Sequence, residues 1–494
     1  MAKTRKSGRR TFLKQMASVA GAAPLAPMLM VKSAAAAAAD EEKHAPTNGH
    51  ETMRLAEYAA ALQLDKIPPE AVQRAKDCIA DTVAVILSGA DLPWSKMIVA
   101  YAQKNGAGGK SRILGSPGVL VHAPSAALAH GALTHAFEQD SLTKPDSGAH
   151  PGAALLSSTL AVAQERGLSG RALLTAFIAG SEAMIRIGFA TKHTNEARGF
   201  HAPGTTSPFG GAVAVARLLD LDAVKTANAM GIAGSCSAGL LEFAHSDGAM
   251  VKRLHLGRGA ESGVLAASLA AEGYTGPTTV LEGGNGFLRV FCTDYDLGEL
   301  TKGLGESYVT MTIMLKRFAC HITAHNPVEA ILDLSAMYGF GGNDVVAIDI
   351  AGNERMAKVN NIPAPKDVLM AQYSIPFSVA LALYRDPRDP DSFDDSAVHD
   401  PAIRKLASLV TMTVLEGQDR RNLATEVTVT LRDGRVVFRR VNDFKGTPQR
   451  PLDRDELRDK FLVLTKKHDY AKMKKLFDRL QNIENEKDVD WIGA

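Results

Sequence analysis

The sequence predicts a mainly α protein in which a helical body is followed by an α+β insert and a helical tail. Three observations carry this. From about Thr52 to Thr312 the chain is rich in Ala, Leu and Gly, with polar residues at helical spacing and proline-marked helix starts. Beyond Met311 the pattern mixes, and "TEVTVTLRDGRVVFRRV" alternates on both sides of Asp433-Gly434, which suits a tight primed hairpin turn. From Asp453 to about Glu484 the helical pattern returns. The expected boundaries are therefore 52–312 for the body, 313–450 for the insert and 451–494 for the tail.

Residues 1–39 stand apart as a leader, with 40–51 as a linker. Gly8-Arg9-Arg10-Thr11-Phe12-Leu13-Lys14 precedes an apolar stretch from Met16 to Val31 and the alanine run Ala34 to Ala39. A charged start, a short apolar middle and small residues at the end make a cleavable signal. The paired arginines followed by Phe-Leu-Lys resemble the twin-arginine export motif, an address and not an anchor. The apolar stretch is broken by Pro24 and Pro27 and is short for a membrane span. The expectation is a chain exported folded to the periplasm.

In the body, Pro124-Ser125, Pro151-Gly152 and Pro208 read as helix starts, because proline suits the first helical turn. The many small residues imply closely approaching helices. In the insert, "NPVEAILDLSAMYG" reads as a helix, "DVVAIDIAG" as a short β-rich run, and Asp386 to Asp395 as a surface loop. No stretch after the leader is apolar and long enough to suggest a membrane span.

Composition narrows the function. The chain has 56 Lys+Arg and 54 Asp+Glu; the leader holds seven of the basic residues and no acid, which leaves 49 against 54. A mildly acidic body is not a nucleic-acid binder, for which a strong basic excess is expected. Cys78, Cys236, Cys292 and Cys320 are scattered without a C-x-x-C pair, which excludes a zinc ribbon, a thioredoxin pair and a clustered iron–sulfur site. They are expected to be reduced and mostly buried. "GAGGKS" lacks the first glycine of a phosphate loop, Lys104 standing there, and "GFGG" lacks dinucleotide spacing.

Five segments carry the candidate chemistry. His150-Pro151-Gly152 and His201-Ala202-Pro203-Gly204 each place a histidine just ahead of a helix start, where free N–H groups favour carboxylates and an imidazole can move a proton. A capping histidine is the plain alternative for either one alone. In "MVKRLHLGRG", Lys252 and His255 share a helix face while Arg253 points elsewhere. A solvated basic face is the usual meaning of such a run, but the packed neighbours suggest burial, where a lysine loses affinity for its proton. In "LKRFACHITAHN", His321 and His325 have the spacing of two zinc ligands, but Ile322 stands where a zincin needs glutamate. The better reading makes Lys316 and His321 a cationic lining for substrate carboxylates. In "HAFEQDSL", His135, Glu138 and Asp140 put acids beside histidines, able to orient them or share a proton.

Together these segments resemble the MmgE/PrpD family, which includes 2-methylcitrate dehydratases, cis-aconitate decarboxylases and iminodisuccinate epimerases. The resemblance runs from about Thr52 to about Glu484, on "HAFEQD…HPGAA", "GFHAPGTTSPFGGAVAVARLL", "VKRLHLGRGAESG", "KRFACHITAH", "AQYSIPFSVALAL" and "FKGTPQRPLDRDELRDKF". It implies a large all-helical domain formed by both chain ends, a smaller α+β lid, a site between them, a homodimer, and no metal or cofactor. It places the family's acidic residue on Glu138, its histidines on His150 and His201, and its lysines on Lys252 and Lys316. His255, Asp140 and His321 are assigned to substrate binding beside them. The chain departs from the family at Ser141-Leu142, where a threonine hydroxyl is missing, and at Phe377, read as standing where decarboxylases have a tyrosine. The expectation is a metal-independent hydro-lyase on a 2-methylcitrate-like hydroxy polycarboxylate. An epimerase of a substituted dicarboxylate, a decarboxylase and a non-catalytic periplasmic polycarboxylate-binding protein are the alternatives.

Overall fold

The computed structural model describes residues 49–143, 147–244, 250–419 and 421–493. The leader, and with it the export reading, lies outside the described residues. Helix makes up 56% of the protein against a small sheet, so the mainly α class holds. Two apolar cores form. The first draws on residues from Leu55 to Leu315 and again from Leu452 to Ile492, the second on residues from Phe318 to Val441.

Three helices of the body set the geometry that matters most: α1 (Ala123–Thr134), α2 (Ala202–Leu218) and α3 (Val251–Ala271). Glycines let α3 approach both others. A Cβ on Gly257 would lie 2.5 Å from the Leu128 carbonyl oxygen, and one on Gly131 would lie 2.7 Å from that of Leu256, so α1 and α3 touch backbone to backbone. Likewise a Cβ on Gly263 would lie 2.6 Å from Gly211 Cα. These contacts run α3 antiparallel to α1 and parallel to α2. The C-terminus of α1 and the N-termini of α2 and α3 therefore meet at one point. The small residues that predicted close helices do so for this reason.

Two expectations about the body change. Pro208 does not open a helix: α2 starts at Ala202, with Pro203 in its first turn, and Pro208 lies inside it. A proline without N–H gives up one helical bond there, and the packing of α2 against its neighbours outweighs that loss. One later helix, Gly170–Ala190, is long and apolar enough to cross a membrane by length and composition, contrary to the first reading. It is almost wholly buried inside the fold, as a core helix of the body.

In the insert, the helix read from "NPVEAILDLSAMYG" spans His325–Tyr338 and packs on a four-stranded sheet. Strands β1 (Val345–Gly352), β2 (Val410–Val414), β3 (Thr425–Leu431) and β4 (Val436–Val441) lie in the order β2-β1-β3-β4. The β3–β4 hairpin is antiparallel around Asp433-Gly434, as its alternation requires, while β2 joins β1 in parallel and was not foreseen. The tail is two helices, Arg454–Leu464 and Tyr470–Leu480; the first opens with a reciprocal cap between Asp453 and Glu456. All four cysteines are free; Cys236 is partly exposed and the other three are buried.

Candidate active site

A cavity of about 550 Å³ opens where α1, α2 and α3 converge, and residues of the insert such as His321, Arg355 and Tyr373 line it as well. Its floor holds Glu138, Lys252 and Lys316, all buried. Lys252, in the first turn of α3, donates to Glu138 Oε1 and, at 2.7 Å, to the hydroxyl oxygen of Tyr373. Lys316 donates to Glu138 Oε2 at 2.8 Å and lies 3.8 Å from Asp140 Oδ1. Lys316 sits on the segment between the two cores. It is fixed by the Leu315 N–H, which donates to the Gly446 carbonyl at 2.9 Å. Gly446 is required there: its φ is +121°, and a Cβ would lie 2.1 Å from the Leu315 oxygen. The late motif around Gly446 thus places a floor residue. The tail acts on the same loop, since Lys460 bonds to Asp81 and donates to the Gln139 carbonyl at 3.2 Å.

The charge states follow from this packing. Burial opposes ionisation of Glu138, but Lys252 and then Lys316 outweigh it and hold its carboxyl well below the usual range. Burial likewise opposes the Lys252 ammonium, yet Glu138 beside it raises its affinity for the proton. The expectation that Lys252 would give up its proton easily is therefore corrected. Its carboxylate partner lies 114 residues earlier in the chain, and sequence spacing does not show it. Lys252 and Lys316 are permanent positive charges.

Around this floor stand imidazoles. His201 is the residue before α2, and burial, then its cationic neighbours, pushes its titration well below the ordinary histidine range. Its Nδ1 faces Nδ1 of His255 at 3.0 Å, so one of the two nitrogens carries the hydrogen. That choice decides whether Nε2 of His201 offers a lone pair or a proton. His255 does not line the cavity; its assignment to substrate binding is corrected to a support behind His201. Asp140 is corrected in the same way. It is fully buried, and its Oδ2 accepts from Nδ1 of His135 at 2.8 Å and Nδ1 of His150 at 2.7 Å. It orients two imidazoles and is not itself in the lining. His321 lines the cavity, stacked on Tyr373 at 4.7 Å, and its Nδ1 lies 2.9 Å from the Thr323 hydroxyl and 3.5 Å from the Thr323 backbone nitrogen. Accepting at Nδ1 leaves the proton of His321 on Nε2.

The free helix-start N–H groups expected to hold substrate are largely taken. The Gly152 N–H donates to Ser141 Oγ at 3.2 Å, and the Ala202 N–H bonds to the Glu196 carboxylate. Arg253 does point elsewhere, over the Trp94 ring at 4.8 Å.

The metal question divides. His325 is fully buried, with Nε2 accepting from the Phe318 N–H at 3.3 Å, so it makes no pair with His321 toward the cavity. Among the described residues, His135, Asp140 and His150 bring donor atoms close enough to hold a cation. Those atoms already bond to one another, and the Lys316 ammonium would repel a cation beside Asp140.

Two departures read from the sequence change meaning. Phe377 is buried in the second core and does not line the cavity. The tyrosine at the site is Tyr373, four residues earlier in the same segment, and it was missed because both positions lie in one apolar run. Leu142 lines the cavity and is bridged to Met314, and Thr143, the next residue, also lines it, with its hydroxyl bonded to that of Ser147. The lining also includes Arg355, in the short helix Glu354–Lys358, and Arg421, both unforeseen, since an isolated arginine carries no sequence signal.

Comparison with known proteins shows the family. Residues 53–300 match the MmgE/PrpD N-terminal domain and residues 318–482 the MmgE/PrpD C-terminal domain. Relatives include a cis-aconitate decarboxylase of Aspergillus terreus, 28% identical over 89% of this chain and 94% of its own length. The human cis-aconitate decarboxylase is 25% identical over 87% of this chain and 91% of its own length. A cis-aconitate decarboxylase-like protein of Aspergillus oryzae is 26% identical over 90% and 97%. With both domain models matched in order across most of its length, the chain belongs to the MmgE/PrpD family.

Proposed function

We propose that the chain is a lyase that removes a carboxylate as CO2 from a small unsaturated polycarboxylate. The observation that carries this is the buried Lys252–Glu138–Lys316 cluster, with the Tyr373 hydroxyl on Lys252, at the floor of a cavity of imidazoles. Lys252 and Lys316 are fixed ammonium groups in the lining and favour a substrate carboxylate beside them, with Glu138 and, 3.8 Å from Lys316, Asp140 as the opposing charges. When a neighbouring carboxylate departs, its bonding electrons pass through the double bond toward the carboxylate that is held. Fixed positive charge stabilises that developing dianion without reorganisation. The names of the relatives support the same chemistry, and Tyr373 supplies a tyrosine hydroxyl at the site.

Dehydration of a hydroxy polycarboxylate is the second reading. The His201–His255 contact favours it, because it lets His201 either take a proton from carbon or give one to a leaving hydroxyl. The Arg9-Arg10 leader supports export of the folded chain to the periplasm as part of this proposal.

The test is a panel of cis-aconitate, citrate, isocitrate and 2-methylcitrate, followed by CO2 release and product NMR. Release of CO2 from the unsaturated acid supports decarboxylation. A new conjugated alkene from a hydroxy acid without CO2 moves the assignment to dehydration. No reaction with any of them overturns the lyase reading. On the substrate so found, Tyr373→Phe is expected to lower kcat by roughly 10²-fold with KM little changed. Unchanged turnover would reduce Tyr373 to a packing surface for His321.

A further inference from the structure

Asp140 holds two imidazoles, and only one of them, His150, was expected in the site. His135, the residue that ends α1, donates from Nδ1 to the same Asp140 oxygen at 2.8 Å. Asp140 is ionised: burial opposes its charge, but His135 and His150 hold its carboxyl well below the usual range. An ionised acceptor requires hydrogen on both Nδ1 atoms, which leaves each neutral ring a lone pair at Nε2. His135 is 4% exposed, lines the cavity, and among the described residues has no hydrogen-bond partner for Nε2. A buried acceptor left unmet is rare in folded proteins and calls for an explanation. Here the cavity beside it supplies one, because a bound molecule can provide the missing donor or charge.

The groups around the ring are Asp140 and Glu138 from its own loop, His150, Lys252 from α3, and His201, whose ring centroid is 6.2 Å away. Burial outweighs Asp140 and brings the titration of His135 down to about 4. The ring therefore starts neutral. A polyanion entering the cavity changes the balance, because its carboxylate adds negative charge on the face of the imidazole opposite Asp140.

We propose that His135 takes up one proton from solvent as the polycarboxylate binds, holds it at Nε2 between Asp140 and the substrate, and returns it to the reacting carbon. This rests on the decarboxylase reading. The carbon–carbon bond to the leaving carboxylate breaks with both electrons remaining on the substrate. A carbon–hydrogen bond then forms with the Nε2 proton, and the ring returns to neutral. One proton is consumed for each CO2 released.

Calorimetry with propane-1,2,3-tricarboxylate, a saturated probe, tests this at neutral pH in two buffers of different ionisation enthalpy. The expected result is uptake of about one proton per site by the unaltered protein, retained in His150→Asn and lost in His135→Asn. In parallel, the Nε2 signal of His135 in ¹⁵N-histidine-labelled unaltered protein is expected to move to the imidazolium position as probe binds, a readout that needs no variant to fold. Binding without uptake, or uptake that survives in His135→Asn, overturns this inference and leaves the decarboxylase reading standing. No binding of the probe overturns the polycarboxylate reading and this inference with it.

Discussion

Replacing Glu138 with glutamine should cost the fold about 3–5 kcal/mol, the largest stability loss expected from any single change in the cavity floor. Glu138 is the carboxylate between two buried ammonium groups. Without it, among the described residues, Lys252 keeps the Tyr373 hydroxyl and Lys316 keeps Asp140 at 3.8 Å. Asp140 is already committed to two histidines. The loss should carry a pH signature whose sign follows from the shifts. Glu138 titrates below its unfolded value of 4.5, so its stabilisation is complete above that value and fades as pH falls through the folded one. Lys252 titrates above its unfolded value of 10.5, so its stabilisation is complete below that value and fades as pH rises through the folded one. From this cluster the unaltered protein should be flat between those limits. In Glu138→Gln the unpaired lysine titrates low instead, and stability should climb from neutral toward alkaline pH. Denaturant midpoints at several pH values read this directly. A loss under about 1 kcal/mol with no pH slope would mean that water compensates the ammonium groups, and the floor would not be the dry charged cluster described here.

The contrast between what the sequence reveals of this site and what it hides is itself physical. Helical periodicity and the Asp433-Gly434 turn are local signals, so the body, the hairpin and the tail helices could be read directly. The motif segments could also be read, and Glu138, His150, His201, Lys252, Lys316 and His321 all reach one cavity. What failed were statements about partners. The proton affinity of Lys252 depends on Glu138, and the role of His255 depends on the 3.0 Å contact with His201, both set by how α1, α2 and α3 cross. Asp140 looked like a ligand because an acid beside histidines has no depth in a sequence; the fold puts it behind them. Tyr373 and Phe377 stand four apart in one apolar segment, and only the turn between the helices Val368–Tyr373 and Ile375–Ala382 sends one to the cavity and the other to the core. Strand β2 was missed although Val410-Thr411-Met412-Thr413-Val414 alternates, because its partner β1 lies far earlier in the chain and no hairpin turn marks it.

Removing the charge of Lys252 should instead leave the fold largely intact and abolish most of the turnover. In Lys252→Met, Glu138 still has Lys316, so the floor keeps one negative and one positive charge and no buried ion is stranded. The reaction loses the cation nearest Tyr373 and, with it, stabilisation of the electrons released by bond breaking. One such preorganised donor is worth roughly 10²–10³ in kcat, and the expected fall is of that size with a smaller rise in KM. The split between the two parameters decides the role. A large KM effect with kcat nearly intact would make Lys252 a ground-state tether and shift the catalytic charge to Lys316. The pH profile decides a second point. Because Glu138 raises the Lys252 pKa, this lysine should contribute no alkaline limb to kcat near neutrality. An alkaline limb near neutral pH that disappears in Lys252→Arg would show that the lysine exchanges its proton during turnover. The charge-stabilising role assigned to it here would then be wrong, even though the location of the site would stand.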